Sequence, residues 1–150
     1  MDLASSLSRP EITTQVTRGA ARLLADLGYT PLAEVCLPNG RRADLMALSA
    51  RGEFMIIEVK SGIEDFRVDR KWREYGPYCD RFAFAVAPEF PLDILPEDPG
   101  LIVADGFGGA VLREPPVATL AGARRKALTI AFGRLAAMRA AGVAVLSLEV

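Results

Sequence analysis

The chain contains no histidine and only two cysteines, Cys36 and Cys79. Serine and cysteine hydrolases of the usual kind need an imidazole base, so neither class fits. A structural zinc site would have too few ligands. Lysine is scarce too: Lys60, Lys71 and Lys126 stand alone, and every other cation is an arginine. The net charge of −1 excludes a protein that binds polyanions by overall charge, since nonspecific affinity for nucleic acid rests on neutralised phosphates. A local basic face remains compatible with that balance, and arginine's planar fork suits phosphate oxygens. No apolar run approaches the roughly 20 residues that a membrane span needs. Met1-Asp2-Leu3-Ala4-Ser5-Ser6 has neither the basic start nor the long apolar stretch of a secretory signal. Cys36 and Cys79 sit in apolar or aromatic surroundings, and a reduced, cytoplasmic protein that avoids membranes is the expectation.

What is present is globular. Of 150 residues, 51% are hydrophobic and 25% charged, enough to build one core. A single domain over 1–150 is expected, with 1–9 a loose lead-in and 143–150 a last strand or a frayed tail. Ser8-Arg9-Pro10-Glu11 has the form of a capping box. Ile12, Val16, Ala20, Leu23, Leu24 and Leu27 then recur at helical spacing until Gly28. Leu32 to Leu37 reads as a strand and Pro38-Asn39-Gly40 as a hairpin turn. Arg41 to Leu48 and Glu53 to Lys60 complete an antiparallel meander.

A short helix is expected over Asp69 to Tyr75, broken by Gly76-Pro77. Phe82, Phe84 and Val86 alternate with alanines in a fourth strand, whose small residues admit a helix packed closely against it. Leu101 to Ala104 and Ala110 to Leu112 form a hairpin across Gly106-Phe107-Gly108-Gly109. That turn is no phosphate loop, because neither Lys-Ser/Thr nor a helix follows it. Pro115-Pro116 ends the hairpin, and a helix runs from Leu120 to Ala141. The fold class is α/β with a mixed sheet of α+β character: helix, three-strand meander, helix, strand, then an added hairpin and C-terminal helix.

The chemistry concentrates at the end of the meander. Side chains alternate along a strand, so Glu58 and Lys60 share one face while Ile57 and Val59 take the other. Charges after the apolar run Phe54-Met55-Ile56-Ile57 are costly unless paired or ligating. Asp44 lies on the neighbouring strand, within reach of Glu58. Two carboxylates suit Mg²⁺ or Mn²⁺, with the backbone carbonyl of Val59 as an additional ligand. Such a metal activates water and polarises a scissile phosphate, while Lys60 stabilises the developing charge. The bland alternative is a salt bridge between Glu58 and Lys60 or Arg42, of small worth if solvated.

This order of Asp, then Glu-x-Lys resembles the PD-(D/E)xK nuclease superfamily. More closely, Gly40-Arg41-Arg42-Ala43-Asp44-Leu45-Met46-Ala47-Leu48, Glu58-Val59-Lys60-Ser61, Asp65-Phe66-Arg67, Asp69-Arg70-Lys71-Trp72 and Tyr78-Cys79-Asp80 resemble the MmcB-like DNA-repair family. The similarity continues through Leu95-Pro96-Glu97-Asp98 and Gly100-Leu101-Ile102. It implies a restriction-endonuclease-like core, a role in DNA repair and Mg²⁺-dependent nuclease chemistry. Ala43 stands where many superfamily members have Pro, a departure that leaves the metal ligands untouched.

Further candidates are Glu11, Glu34 and Lys71. Many superfamily members carry a first-helix Glu near the metal, but the capping box is the preferred account of Glu11. Glu34 on the first strand reaches either the metal or solvent. Lys71 approaches the phosphate or lies on the surface. Arg18, Arg42, Ser61, Arg67 and Arg70 are candidate DNA contacts. Trp72, interleaved with these arginines, is a candidate base-stacking residue, although aromatics more often serve cores.

The first expectation is a deoxyribonuclease of repair that hydrolyses phosphodiesters. A noncatalytic DNA-docking or protein-interaction adaptor in a repair assembly is the alternative, since fold alone does not guarantee activity. An RNA-cleaving relative would use the same residues. Partners would be DNA and other repair proteins, with a homodimer compatible and unmarked in the sequence.

Overall fold

The computed structural model describes residues 7–63 and 71–150. Helix α1 (Arg9–Asp26) is followed by strands β1 (Tyr29–Cys36), β2 (Arg42–Ser49) and β3 (Phe54–Lys60). Then come a 3-10 segment (Lys71–Tyr78), β4 (Arg81–Val86), a short 3-10 turn (Leu92–Ile94), β5 (Gly100–Ala104), β6 (Gly109–Arg113) and helix α2 (Gly122–Ala140). The strands form a single mixed sheet in the order β1-β2-β3-β4-β5-β6. β1, β2 and β3 are the expected antiparallel meander. β3, β4 and β5 run parallel, and β6 returns antiparallel as the hairpin partner of β5.

Local chemistry explains the boundaries. Ser8 accepts from the Glu11 amide at 3.4 Å, and the Glu11 carboxylate accepts from the Ser8 amide at 2.7 Å, so the capping box forms. Gly40, at φ +85, takes the left-handed turn position that closes the β1–β2 hairpin, where Leu37 donates to the Arg41 carbonyl at 2.7 Å. β1 starts at Tyr29, ahead of the expected Leu32, because its pairing with β2 extends back to Tyr29↔Ser49. The expected helix over Asp69 to Tyr75 is corrected where it is described: Lys71–Tyr78 is a 3-10 segment that includes Pro77 rather than stopping before it. Residues 64–70, which include Asp65, Phe66, Arg67, Asp69 and Arg70, lie outside the described residues. The tail forms neither a full strand nor a free end: Cys36 and Ser147 make one bridge, and Leu148 is buried.

The sheet is covered on both faces. On one, Val16, Ala20 and Leu24 of α1 pack over Leu45, Ile57 and the small side chains Ala83 and Ala85. Those alanines let the helix sit close, as their spacing in the sequence predicts. On the other face, Leu128, Phe132 and Leu135 of α2 pack with Phe54 and Ile56, while Tyr75 and Tyr78 of the 3-10 segment pack with Phe82 and Phe84. Each fully buried large side chain here contributes roughly 1.5–3 kcal/mol. β3 is consequently buried along its whole length, the pattern of a central strand covered from both sides. Among the described residues no helix is long and apolar enough to cross a membrane.

Candidate active site

Glu58 and Lys60 continue the face begun by Phe54 and Ile56, opposite α1. They are only 7% and 6% exposed, and their β4 neighbours are Phe84 and Val86. A carboxylate and an ammonium are thus held in an apolar wall, where neither would be tolerated without a partner.

The partner comes from β2. Backbone pairing between β2 and β3 runs from Leu48↔Phe54 to Leu45↔Ile57. The following rung sets Asp44 opposite Glu58, and there side chains replace the ladder. The Asp44 amide donates to Glu58 Oε1 at 3.1 Å, and the Val59 amide donates to Asp44 Oδ2 at 2.8 Å. Each carboxylate therefore spends one oxygen on a backbone amide of the other strand. The same rung is disturbed on the outer side, where Glu34 adopts φ 51 between the pairs Ala33↔Leu45 and Val35↔Ala43.

Burial and mutual repulsion govern the charge. The Glu58 carboxyl is pushed up to about 8, first by burial and then by the charge of Asp44. The Asp44 amide, Lys60 and the Tyr75 hydroxyl oppose that shift without cancelling it. Asp44 is also raised, chiefly by burial, against the Val59 amide and the positive charges of Lys60 and Arg42. Burial and mutual repulsion thus favour a proton retained between the two carboxyls, with Lys60 beside them. Among the described residues no group of three or more His, Cys, Asp or Glu converges, so this site offers two carboxylates and no larger acidic cluster.

The 3-10 segment closes the site from the side of the β1–β2 hairpin. Asn39 Nδ2 donates to the Glu74 carbonyl at 2.9 Å, and Arg41 Nε pairs with Glu74 Oε2 at 2.5 Å. Tyr75 stacks on Phe82 with ring centroids 5.4 Å apart, and its hydroxyl donates to the Arg42 carbonyl at 3.2 Å.

The remaining sequence candidates separate. Arg42 is exposed, and its charge is felt at Asp44. Ser61 follows β3 half-buried, and Lys71 opens the 3-10 segment exposed. Glu11 is exposed and engaged with Ser8, which draws its carboxyl down; it sits in the cap, as the capping-box reading has it. Arg18 is exposed on α1, the helix covering the opposite face. The Glu34 side chain is exposed, its left-handed backbone setting it outside any three-acid cluster, and its carbonyl accepts from Arg139 Nη2 at 2.7 Å. Trp72 is half-buried against the core: it stacks on Phe82 at 5.8 Å, and the Arg73 guanidinium lies 4.9 Å over its ring. Arg67 and Arg70 lie outside the described residues. Cys79 is buried, and burial followed by the Asp80 charge pushes its thiol up to about 12, which fits a small hydrophobe rather than a nucleophile.

Two features escaped the sequence reading. Asp80 is a buried hub: its carboxylate accepts from the amides of Phe54 at 2.8 Å and Leu120 at 2.9 Å and from the Arg125 guanidinium. The second is a charge segregation visible in the sequence itself. From Pro115 to Leu148 there are five cations and no acidic residue. Of these cations, Lys126 and Arg134 are exposed, Arg124 lies 5.2 Å over Tyr78, and Arg125 and Arg139 hold the fold together.

Comparison with known proteins gives one family and one structure. The family model for DNA repair protein MmcB-like sequences matches residues 2–146. The chain is similar to the structure of SPO1766, a protein of unknown function from Silicibacter pomeroyi. That similarity has 40% identity and a TM-score of 0.82, over 86% of this chain and 88% of the other. No curated protein matches.

Proposed function

The chain belongs to the MmcB-like DNA repair protein family, and from that premise we propose that it is a metal-dependent deoxyribonuclease of the PD-(D/E)xK kind. The observation that carries this reading is the rung that pairs half-buried Asp44 with buried Glu58 beside Lys60. A stability-driven core has no use for two carboxylates that repel one another, because hydrophobic replacements of similar volume cost nothing in desolvation. Repeated investment of charge at one point is what a ligand site requires.

Asp44 and Glu58 would hold Mg²⁺ or Mn²⁺, with the Val59 carbonyl as a third protein ligand. The ion, when bound, would supply electrophilic polarisation of the scissile phosphodiester. Lys60 then holds a fixed positive charge where negative charge grows on the phosphate oxygens, and it orients the incoming water. Its burial keeps that charge in place without reorganisation. Arg42, exposed beside Asp44, offers a fork to a neighbouring phosphate.

The test is an assay on single-stranded, duplex and branched DNA with Mg²⁺ or Mn²⁺, beside Asp44→Ala and Lys60→Ala. Loss of cleavage in both variants supports the assignment. Cleavage that persists in both removes it. A noncatalytic adaptor in a repair assembly is the rival, favoured by the net charge of −1. It wins if the wild-type protein binds no Mn²⁺ at millimolar concentration.

A further inference from the structure

We propose that Phe107 stacks on an unpaired base of the DNA substrate, so that the chain selects single-stranded or branched DNA over a fully paired duplex. The inference rests on the nuclease reading above and names the class of DNA that the same face of the sheet would take.

Phe107 is 84% exposed, the most exposed large hydrophobic side chain among the described residues, and it belongs to neither core cluster. Its backbone is nonetheless fixed. Asp105 Oδ1 accepts from the amides of Phe107 at 2.8 Å and Gly108 at 3.0 Å, and the Asp105 amide donates to the Gly108 carbonyl at 2.9 Å. The carbonyls of Asp105 and Gly108 lie against Gly19 of α1, so close that no Cβ fits between. An apolar ring presented to water on so fixed a turn adds nothing to the fold, since burial is what makes such a ring stabilising.

Its place in the sheet says what it faces. The register pairs Lys60 with Val86, Val86 with Val103 and Val103 with Ala110, so one row of side chains runs from β3 to β6 on the Lys60 face. Val103 and Ala110, at the far end of that row, line an open cavity of about 440 Å³ together with Phe107 and Pro88. Strands about 4.8 Å apart put this cavity roughly 10–14 Å from Lys60, about three or four nucleotides of stacked DNA at ~3.4 Å per step. DNA that reaches the Asp44–Glu58 rung and continues across the carboxyl ends of β4 and β5 meets the turn.

Size and charge favour a base as the occupant. Gly106, Gly108 and Gly109 flank Phe107, so no neighbouring side chain in the turn widens the ring into a patch. One ring offers far less than the roughly 800 Å² per partner that a stable protein interface covers, and it matches the face of one nucleobase. With a net charge of −1 the chain draws little affinity from overall charge, and stacking supplies affinity without charge. A base inside a duplex must first be unstacked, a cost that an unpaired base avoids.

Phe107→Ala and Phe107→Trp are compared with wild type by fluorescence anisotropy in EDTA, on a single-stranded oligonucleotide, a fork with unpaired arms and a fully paired duplex. Phe107→Ala should weaken binding to the single strand and the fork about 5–100-fold and to the paired duplex less than about twofold, while Phe107→Trp keeps wild-type binding. A 2-aminopurine base moved along the single strand should change fluorescence at particular positions with wild type and at none with Phe107→Ala. The melting temperature should stay constant, because the ring lies outside the core. Wild-type affinity of Phe107→Ala for the single strand overturns the stacking role, and so does an equal loss on all three DNAs. A wild-type protein that binds none of them overturns it as well and turns the ring over to a protein partner. Calorimetry with Mn²⁺ keeps the two readings apart, since Phe107 is no ligand. A wild-type protein that binds no Mn²⁺ overturns the nuclease reading, whereas normal Mn²⁺ binding with undiminished single-strand affinity in Phe107→Ala overturns the stacking role alone.

Discussion

Asp44 and Glu58 face each other across the rung at which backbone pairing between β2 and β3 stops, and each carboxylate binds a backbone amide of the opposing strand. The carboxylates are thereby held together by the fold, an arrangement that favours one retained proton. Glu58 keeps that proton up to about pH 8, mainly because it is buried and secondarily because Asp44 is charged. A metal bound there, as proposed, would have to displace it. Mn²⁺ affinity is therefore expected to rise as pH rises from 6 to 8 by as much as about tenfold per unit, and to level off above. Calorimetry in two buffers of different ionisation enthalpy should register about one proton released per ion at pH 7. Affinity that is flat across this range contradicts the shared-proton account.

The same group sets a stability trend in the metal-free protein. Its folded-state value of about 8 lies above the ordinary 4.5, so the folded protein binds a proton that the unfolded chain has already lost. Stability must then fall as pH rises from about 4.5 to about 8. Glu58→Gln removes this dependence while keeping an acceptor for the Asp44 amide. Measured in EDTA, the melting temperature of the variant should gain on wild type steadily from pH 5 to pH 8. A constant difference would mean that Glu58 ionises normally.

Asp80 works in the opposite sense. Burial raises its carboxyl, but Arg125 and the amides of Leu120 and Phe54 overcome this and leave it at about 2 against an ordinary 3.8. Its contribution, about 2 kcal/mol by linkage, is present above the ordinary value and is lost as pH falls toward 2. Asp80→Ala leaves two amides and a guanidinium without their acceptor, with an expected cost of about 3–5 kcal/mol. Urea unfolding at pH 7 measures that loss. The variant should also lack the wild-type drop in stability between pH 4 and pH 2.

Backbone crowding gives a sharper case at Gly19. A Cβ there would lie 2.0 Å from the Asp105 carbonyl oxygen and 2.5 Å from that of Gly108, both fixed backbone atoms. Gly19→Ala must push the β5–β6 hairpin off α1, and a loss of about 1–3 kcal/mol is expected in denaturant unfolding. An unchanged midpoint would show that the hairpin moves freely.

Much of this was legible in the chain. Alternation and turn glycines marked the meander, and the apolar run before Glu58-x-Lys60 marked a central strand with charges that needed a reason. Ser8 and Glu11 declared their cap. The rest depended on contacts distant in sequence. Asp80 reads as an ordinary strand-entry acid until Phe54, Leu120 and Arg125 close around it. Tyr75 reads as one aromatic among arginines until the crossover lays it against Phe82. Glu34 offers no local sign of its left-handed backbone, which interrupts the β1–β2 pairing for a single rung where Arg139 grips the carbonyls of Ala33 and Glu34. Trp72 is open in sequence between stacking a base and packing the core, and its stacking on Phe82 appears only in the tertiary structure.

The two faces of the sheet make a final distinction between arginines that look alike in sequence. Arg42 is exposed next to Asp44, on the strand that carries the site. Arg18 is exposed on α1, which covers the face away from Glu58 and Lys60. If DNA is drawn across the carboxylate rung, Arg42 meets a phosphate and Arg18 does not. Arg42→Ala should then weaken DNA binding several-fold and reduce the salt slope by about 1, while Arg18→Ala changes neither. Fluorescence anisotropy at several salt concentrations, in EDTA to prevent cleavage, separates them. An equal loss from both substitutions would mean diffuse attraction without a preferred face. A loss from Arg18→Ala alone would place the DNA on the α1 side and away from Asp44.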